Sequence, residues 1–282
     1  MVTTLLLDIG GTFIKYGLSD ESGKLLSDSI GQVPSEADSS YDHFLQVLSE
    51  VISWNQQKQN FITAGVAIPG PFNYDQGISL MKHKFRALYQ KPISSPFANA
   101  GVKVTFLHDS TAFILGEVEP EDGEIPGGIM LGTGLGFAMM RKKRVCLNPA
   151  QMPAFSLWKM PWKDGIAEDY VSQHALIRRY GSEIPVKEIA KAARAGDKKA
   201  QQTFLAVGAE LNEILCKIIS ALGLSSIILG GQISQSADLL ELDLPVPLRV
   251  SAYPEKSALK GIGRYMVQGK ETCVEIMNCI EL

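Results

Sequence analysis

A short turn rich in glycine and threonine occurs twice in this chain, and each copy lies between two apolar segments. The first turn is Asp-Ile-Gly-Gly-Thr at residues 8–12, and the second turn is Gly-Thr-Gly at residues 132–134. Each turn follows an apolar run typical of a buried strand and precedes a second strand-like run. Because this unit opens each half of a 282-residue chain, it predicts two related α/β lobes rather than a short-period repeat.

The remaining patterns extend each half with further strands and helices. Residues 24–30 are predicted to form a third strand, and residues 166–180 a helix. Residues 198–222 carry apolar side chains at helical spacing, and Gly223 follows at the position of a helix cap. A final helix is predicted at residues 257–267.

A stretch dominated by Glu, Asp, Pro and Gly at residues 117–126 marks the expected boundary between the lobes. The sequence therefore predicts an N-terminal lobe of residues 1–118 and a C-terminal lobe of residues 119–282. The final helix at residues 257–267 is expected to pack back on the N-terminal lobe.

Composition and charge exclude several classes of function. The net charge is −3, and the one dense basic run, residues 141–144, follows a strand and indicates a solvated hairpin turn before an anion site. Nucleic acid is therefore not an expected partner, because phosphate neutralisation needs clustered Lys and Arg. Since no apolar run is long enough to span a bilayer, and Asp8 interrupts the N-terminal apolar stretch early, a cytoplasmic protein without membrane contact is expected.

The cysteines do not indicate a metal site. The chain has four, Cys146, Cys216, Cys273 and Cys279, and none forms a close Cys-x-x-Cys pair. A disulfide framework and a structural zinc site therefore have little support, and no zinc is expected.

The first turn has the composition of a phosphate site. Gly10 and Gly11 let backbone N–H groups approach a ligand, and Thr12 adds a hydroxyl. Asp8 would repel phosphate unless a divalent cation lay between them, so Asp8 is a candidate to hold Mg²⁺, mainly through water. A plain hairpin turn built from Asp and Gly is the alternative interpretation.

The second turn makes the phosphate interpretation stronger. Gly132, Thr133 and Gly134 repeat the same chemistry, so the two turns together predict a triphosphate held from both lobes. Neither turn matches the P-loop or the dinucleotide fingerprint. Gly230 and Gly231 follow a third apolar strand and could pass beside an adenine, although for this pair taken alone a simple strand-to-helix turn is the favoured explanation.

Between the two turns, a predicted strand at residues 102–107 delivers His108 and Asp109 at its end. Phosphoryl transfer needs positioning, charge neutralisation and a carboxylate that accepts the hydroxyl proton, and Asp109 is a candidate for this general base. The alternative roles are an N-cap for the following helix and, for His108, a satisfied strand-end histidine.

Five ordered motifs together resemble the ROK family of sugar kinases and regulators, within the actin-like ATPase superfamily. The resemblance covers residues 5–267. The motifs are residues 8–12 and 131–136 for phosphate, Gly-x-x-x-Pro-Gly-Pro at residues 65–71, the catalytic segment at residues 108–112, and residues 227–231 for adenosine.

The resemblance implies two ribonuclease-H-like (actin-like ATPase) lobes with an interlobe cleft, ATP as phosphoryl donor, Mg²⁺, and a homodimer. It implies that Asp109 is the catalytic base and that Gly70, His108 and Glu168 contact the sugar. Glu168 could instead be a helix-start carboxylate favoured by the helix dipole.

Departures from the family pattern fall mainly on the sugar side. Phe13 replaces the usual Lys, His108 replaces an Asn, and residues 154–158 lack the usual Glu and His. The cysteine-rich zinc motif is absent from the sequence. The aromatic side chains of Phe155, Trp158 and Trp162 could form a platform for a different substrate or serve as core or dimer contacts.

The function predicted from these features is ATP-dependent phosphorylation of a hydroxyl on a sugar or sugar derivative. The alternative is a nucleotide-binding sensor or regulator of the same fold with weak or no kinase activity. Family repressors carry a DNA-binding domain before the first phosphate motif, and that motif begins here at residue 8, so a DNA-binding regulator is not expected.

Overall fold

The computed structural model describes residues 3–82 and 84–282. The chain packs into two compact units. The first unit comprises Met1–Val118, Leu147–Pro153 and Glu255–Asn278. The second unit comprises Glu119–Cys146, Ala154–Pro254 and Cys279–Leu282. The division into an N-terminal lobe of residues 1–118 and a C-terminal lobe of residues 119–282 remains a prediction.

The first unit contains strands and helices from both ends of the chain. Its strands are β1 (Thr3–Ile9), β2 (Phe13–Ser19), β3 (Gly31–Pro34), β4 (Phe61–Ile68), β5 (Phe72–Asn73), β6 (Ile78–Ser79) and β7 (Lys103–His108). Its first three helices are α1 (Tyr41–Lys58), α2 (Ser95–Asn99) and α3 (Asp109–Glu117).

The second unit repeats the pattern of strands followed by helices. Its strands are β8 (Pro126–Leu131), β9 (Leu135–Arg141), β10 (Arg144–Leu147, whose last residue packs with the first unit), β11 (Pro161–Trp162), β12 (Gly165–Ile166), β13 (Ser226–Gly230) and β14 (Leu248–Val250). Its helices are α4 (Ala167–Val171), α5 (Gln173–Tyr180), α6 (Val186–Arg194) and α7 (Lys198–Leu222). The chain then returns to the first unit with α8 (Pro254–Gln268), α9 (Lys270–Cys273) and β15 (Val274–Ile276).

The main sheets of the two units follow the same strand order. In the first unit the order is β3-β2-β1-β4-β7, and in the second unit the strands at the equivalent places are β10-β9-β8-β13-β14. The hairpin strands pair antiparallel, whereas β1, β4 and β7 pair parallel, as do β8, β13 and β14. The predicted architectural repeat is therefore confirmed in the topology of the sheets.

An amphipathic helix covers the sheet of the first unit. Helix α1 buries Phe44, Leu48, Val51 and Ile52 in one apolar core with the side chains of β1 and β4. Each such side chain stabilises the fold by about 1.5–3 kcal/mol when fully buried. Ser40 begins the helix by accepting a hydrogen bond from the His43 amide at 3.2 Å.

Glycines allow α3 and α8 to pack closely within the first unit. A Cβ added at Gly116 would lie 1.8 Å from the Ser257 carbonyl oxygen, and one at Gly261 would lie 1.8 Å from the Ala112 carbonyl oxygen. No side chain fits at either position, so the backbone of α8 fixes the position of α3. Because α3 begins at Asp109, this packing also fixes the candidate catalytic segment.

Two sequence predictions about secondary structure are wrong. Residues 24–30 do not form a strand, because Ser27–Ser29 is a 3₁₀ turn in which the Ser29 hydroxyl donates to the Leu26 carbonyl; the third strand is Gly31–Pro34. Residues 166–180 form two helices rather than one. Ser172 has an extended conformation (φ −97°, ψ 175°) and caps α5, which apolar periodicity alone does not reveal.

The basic run at residues 141–144 forms the predicted hairpin turn between β9 and β10, in which Arg141 and Arg144 are paired. Lys142 and Lys143 occupy the left-handed region at φ 50° and 61°. Helix α7 covers the predicted span, and Gly223 ends it at φ 65°. Among the described residues, no helix combines the length and the hydropathy that crossing a bilayer requires.

Candidate functional site

The first turn lies at the carboxyl end of β1 and places a carboxylate beside a lysine. In the antiparallel register of β1 and β2, Asp8 pairs with Lys15. The Lys15 Nζ lies 3.6 Å from Asp8 Oδ2, and both side chains are partly buried. Lys15 was not among the predicted site residues. Its position two residues after Phe13, on the same face of β2, is the signal that could have identified it.

Two carbonyl groups of the first turn accept hydrogen bonds, whereas two of its amides have no acceptor among the described residues. The Gly10 amide donates to the Phe13 carbonyl at 2.9 Å. Ser35 donates from its amide to the Thr12 carbonyl at 3.0 Å and from its hydroxyl to the Gly11 carbonyl at 2.7 Å. Across residues 3–82 and 84–282, the amides of Gly11 and Thr12 have no acceptor. Consecutive open amides in a tight turn attract anions.

The fold does not require glycine at position 11. A Cβ at this position would meet no heavy atom of the described residues within 4 Å, and its φ lies outside the left-handed region. The missing side chain keeps the outer surface of the turn accessible to a ligand.

The parallel strands bring the other candidate residues of the first unit to the same edge. Asp8 on β1 is aligned with Ala67 on β4, and Ile68 on β4 is aligned with His108 on β7. Because carboxyl ends of parallel strands meet at one edge of the sheet, the predicted residues Asp8, Gly70, His108 and Asp109 are gathered there.

Asp109 is held by groups of its own segment. Its Oδ1 accepts a hydrogen bond from the Ser110 amide at 2.6 Å and lies 2.9 Å from His108 Nδ1. Burial works to raise the pKa of Asp109, but the His108 imidazole, the Ser110 hydrogen bond and the charge of Lys84 hold it below its ordinary value of 3.8. The carboxyl group is therefore ionised at neutral pH.

The pKa of Asp8 is shifted in the opposite direction from that of Asp109. Burial raises its pKa; Lys15 counteracts the shift, and the like charge of Asp109 adds to it. Two carboxylates that destabilise each other in this way favour an additional positive charge nearby.

Small and aromatic side chains surround the catalytic segment. A Cβ at Gly70 would lie 3.2 Å from Met152 Sδ, 3.3 Å from His108 Cδ2 and 3.3 Å from Tyr74 Oη. Burial, and to a lesser degree the Asp109 carboxylate, raises the pKa of Tyr74 well above 10, so the phenol stays protonated. Tyr74 and Met152 were missed by sequence reasoning because neither lies in a motif.

The second turn, in the second unit, has a similar backbone arrangement with a tighter internal hydrogen bond. The Gly132 amide donates to the Gly134 carbonyl at 3.1 Å, and the Gln173 amide donates to the Gly132 carbonyl at 2.9 Å. In the described part of the chain, the amides of Thr133 and Gly134 have no acceptor, and a Cβ at Gly132 would meet nothing within 4 Å.

Glu168 supports the second turn from α4. Its Oε2 accepts a hydrogen bond from the Leu135 amide at 2.7 Å, at the first residue of β9. The structure thus places the predicted sugar contact within the second unit, next to a predicted phosphate turn.

Gly230 and Gly231 end β13 beside β8. Gly230 is aligned with Met130 in the parallel register. Gly231 has φ 84°, and a Cβ there would lie 2.2 Å from the Leu131 carbonyl oxygen, so the fold itself requires glycine at this position.

The segment that replaces the family's sugar and zinc motifs is packed into the second unit. Phe155 is buried and contacts Phe137, with ring centroids 5.7 Å apart. Trp162 Nε1 donates to Glu210 at 2.9 Å, whereas Trp158 is 39% exposed. Phe155 is therefore a core residue rather than part of a ligand platform.

Among the described residues, no group of three or more His, Cys, Asp or Glu side chains is placed to hold a metal ion. A Mg²⁺ ion at Asp8 would therefore need other ligands. Mg²⁺ in proteins commonly uses one or two carboxylates, with water and substrate phosphate oxygens as the remaining ligands.

Comparison with known proteins identifies a family. The model of the ROK family matches residues 4–147 and 163–259, which together are most of the chain. A search of curated proteins gave no match.

Solved structures show the same fold at low sequence identity. A ROK family glucokinase from Streptomyces griseus, in complex with glucose and AMPPNP, matches with a TM-score of 0.79 and 20% identity, covering 95% of this chain and 100% of that chain. A ROK family protein from Streptococcus pneumoniae in complex with sucrose gives 0.74 and 19%, covering 95% and 98%. A ROK family transcriptional regulator, a homologue of the E. coli MLC protein, gives 0.73 and 20%, covering 95% and 81%.

The predicted actin-like ATPase fold is thus confirmed by the structural matches, and the predicted resemblance by the family match. This chain belongs to the ROK family.

Proposed function

We propose that this protein is an ATP-dependent kinase that phosphorylates a hydroxyl group of a sugar or sugar derivative. The observation that carries the proposal is the ionised Asp109 carboxylate, which shares one sheet edge with Asp8 and the open amides of the first turn. ROK family structures that include a glucokinase with glucose and AMPPNP support the choice of donor and acceptor.

In this proposal the backbone binds the nucleotide phosphates. The open amides of Gly11 and Thr12, and those of Thr133 and Gly134, donate hydrogen bonds to phosphate oxygens. Gly230 and Gly231 lie beside the adenosine. These contacts are neutral, so they bind phosphate without clustered Lys and Arg side chains.

Asp8 fits a Mg²⁺ site because its hard carboxylate oxygen lies in a region where Asp109 adds a like charge. When bound, Mg²⁺ would neutralise charge on the phosphate oxygens. Asp8 would hold the ion through water ligands, and the Lys15 ammonium, whose Nζ lies 3.6 Å from Asp8 Oδ2, partly balances the charge of the carboxylate.

Asp109 accepts the proton of the acceptor hydroxyl as the hydroxyl oxygen bonds to the terminal phosphorus of ATP, and the bond between that phosphorus and its bridging oxygen breaks to release ADP. A proton acceptor must be ionised at the working pH, and the lowered pKa of Asp109 meets this requirement. Gly70 and His108 border the acceptor next to this carboxylate, and Glu168 is a further candidate contact.

The test is the isosteric variant Asp109→Asn, which removes the base and keeps the shape. We expect ADP release in the presence of an acceptor to fall about 10²- to 10⁴-fold, while MgATP binding measured by calorimetry is retained. The acceptors to be screened are hexoses, amino sugars and N-acylated amino sugars.

Asp122→Asn serves as the matched control, because this carboxylate is 96% exposed and pairs with the surface residue Lys143. Unchanged turnover in Asp109→Asn, with an active wild-type protein, would show that Asp109 is not the base.

A nucleotide-binding regulator is the second candidate function. The observation that favours it is the core packing of Phe155, at the segment where the family has its sugar-binding Glu and His. MgATP binding without ADP release on any acceptor of the panel would favour this candidate over the kinase.

A further inference from the structure

His108 lies where it can interact with two groups through the same ring nitrogen. Its Nδ1 is 2.9 Å from Asp109 Oδ1 and 3.1 Å from the Ser110 amide nitrogen. A protonated Nδ1 donates to the carboxylate, whereas an unprotonated Nδ1 accepts from the amide. The two arrangements are therefore different protonation states of one nitrogen, and they assign different roles to His108.

The surrounding contacts favour the protonated Nδ1. The Ser110 amide already donates to Asp109 Oδ1 at 2.6 Å, so it does not need the imidazole as an acceptor. An unprotonated Nδ1 would direct its lone pair at a carboxylate oxygen 2.9 Å away, which is repulsive. The His108 side chain is only 13% exposed, so water screens this repulsion weakly.

The contacts of Asp109 are concentrated on one of its two oxygens. Oδ1 faces His108 Nδ1, the Ser110 amide, and the Ser110 hydroxyl at 3.3 Å. Within residues 3–82 and 84–282, Oδ2 has no hydrogen-bond donor. One oxygen is thus anchored while the other is available to a substrate.

We propose that His108 is a positioning residue for Asp109: its Nδ1–H donates to Oδ1, fixing the carboxylate so that Oδ2 faces the acceptor hydroxyl. The role in catalysis rests on the proposed kinase function. It differs from a sugar contact, because a sugar contact would use the other ring nitrogen, Nε2.

Other charged and titratable groups act on the same pair. Asp8 repels the Asp109 carboxylate, Lys84 attracts it, and the protonated Tyr74 ring lies 6.1 Å from the His108 ring. Lys15 is paired with Asp8. His108 contacts Asp109 directly, as do the Ser110 amide and hydroxyl, and it is the side chain from the neighbouring position that opposes the effect of Asp8 on this carboxylate.

The first experiment determines the protonation of His108 by ¹⁵N NMR of the whole protein, without substrates. We expect the ring nitrogen shifts of an imidazole protonated at Nδ1, and the His108→Asn variant assigns the signal among those of His43, His83 and His174. A neutral ring protonated only at Nε2 would overturn the proposal, because Nδ1 would then accept from Ser110.

The second experiment uses two amide side chains that mimic different ring nitrogens. The Asn amide nitrogen can occupy the place of Nδ1, and the Gln amide nitrogen that of Nε2. We expect His108→Gln to lower kcat and kcat/KM together by about 10- to 100-fold, and we expect His108→Asn, which restores a donor at the place of Nδ1, to recover at least about tenfold in kcat relative to His108→Gln.

The opposite pattern would overturn the proposal, as would a rise in acceptor KM with unchanged kcat in both variants. His174→Gln on the exposed side of α5 is the control for general effects of this substitution.

The two experiments separate this proposal from the proposed function. If the wild-type protein turns over no acceptor, the kinase function fails, while the NMR experiment still decides whether His108 donates to Asp109. If turnover is present and the ring is protonated only at Nε2, the kinase function stands and the positioning role fails.

Discussion

The first and second turns share several backbone features, but different side chains surround them. Each joins two antiparallel strands, each has a carbonyl tied by a distant residue, and each presents two open amides in the described part of the chain. Around the first turn lie Asp8, Lys15 and, at the same sheet edge, Asp109. At the second turn the carboxylate of Glu168 already accepts a backbone hydrogen bond.

The comparison shows that the repeated topology provides open backbone amides in both units, whereas the charged side chains around the two turns differ. The second unit does contain a charged cluster, but its ion pairs involve no residue of the turn. Glu210 on α7 contacts Trp162, Lys163 and Arg179 and thereby holds the β11–β12 hairpin. This hairpin occupies the part of the sequence where the family has its zinc motif.

The largest expected difference between the turns is in the effect of removing a carboxylate from each. If Asp8 holds Mg²⁺ through water as proposed, Asp8→Asn should lower turnover about 10- to 100-fold, because the variant lacks the carboxylate charge. Glu168→Gln keeps an oxygen that can accept from the Leu135 amide, so we expect a change below about threefold. Steady-state ADP release over a Mg²⁺ titration measures both.

Equal losses in these two variants would contradict the assignment of the charge chemistry to the first turn alone. Thermal unfolding at pH 7 is the control for folding. Asp8→Asn should not lower the unfolding midpoint, because it removes a buried charge that Asp109 repels.

Alanine substitutions of the glycines test whether both turns bind nucleotide through their open amides. Gly11→Ala and Gly132→Ala should each weaken nucleotide binding about tenfold without lowering the unfolding midpoint, since a Cβ meets no described atom within 4 Å. Gly231→Ala should instead destabilise the fold by about 1–3 kcal/mol, because it combines a positive φ with a clash at Leu131. Calorimetry with ADP and thermal unfolding separate the two effects.

If Gly11→Ala and Gly132→Ala bind nucleotide like the wild-type protein, the open amides do not bind phosphate. A loss at only one of the two would show that the turns differ in binding as well as in charge.

Variants at positions 13 and 15 test whether a lysine at position 13 of β2 can replace the positive charge of Lys15. Lys15→Met should weaken MgADP binding about threefold at low salt, because a partly exposed cation beside Asp8 is lost. Adding Phe13→Lys should restore part of the affinity, since positions 13 and 15 share a face of the strand. Isothermal titration at two salt concentrations measures this rescue, and its absence would mean that Lys15 acts only on Asp8.

The smallest expected effect concerns the charged cluster of the second unit. Burial works to raise the pKa of Glu210, but hydrogen bonds from Lys163 and Trp162 and the charge of Arg179 hold it below its ordinary value of 4.5. A lowered pKa in the folded state stabilises the protein above the ordinary value, and this contribution is lost as the pH falls through the lowered one.

Glu210→Gln should therefore lower the unfolding midpoint by about 2–4 °C at pH 7. The difference from the wild-type protein should begin to shrink below pH 4.5. Calorimetric scans between pH 7 and pH 3 test this, and a deficit that persists at the acidic end would point to lost packing rather than lost charge. Nucleotide affinity should not change, because the cluster does not include the second turn.

The sequence by itself determined the repeated turns, the order of the motifs, and Asp109 as a candidate base. These features depend on local composition, on strand and helix periodicity, and on spacing, all of which can be read along one chain. The tertiary structure decided the rest. It pairs Asp8 with Lys15 through strand register and assigns Gly231 to the fold rather than to a ligand alone. It also turns Glu168 toward the Leu135 amide and brings His108 within 2.9 Å of Asp109. Register, burial and side-chain direction depend on segments far apart in the chain, and no local pattern specifies them.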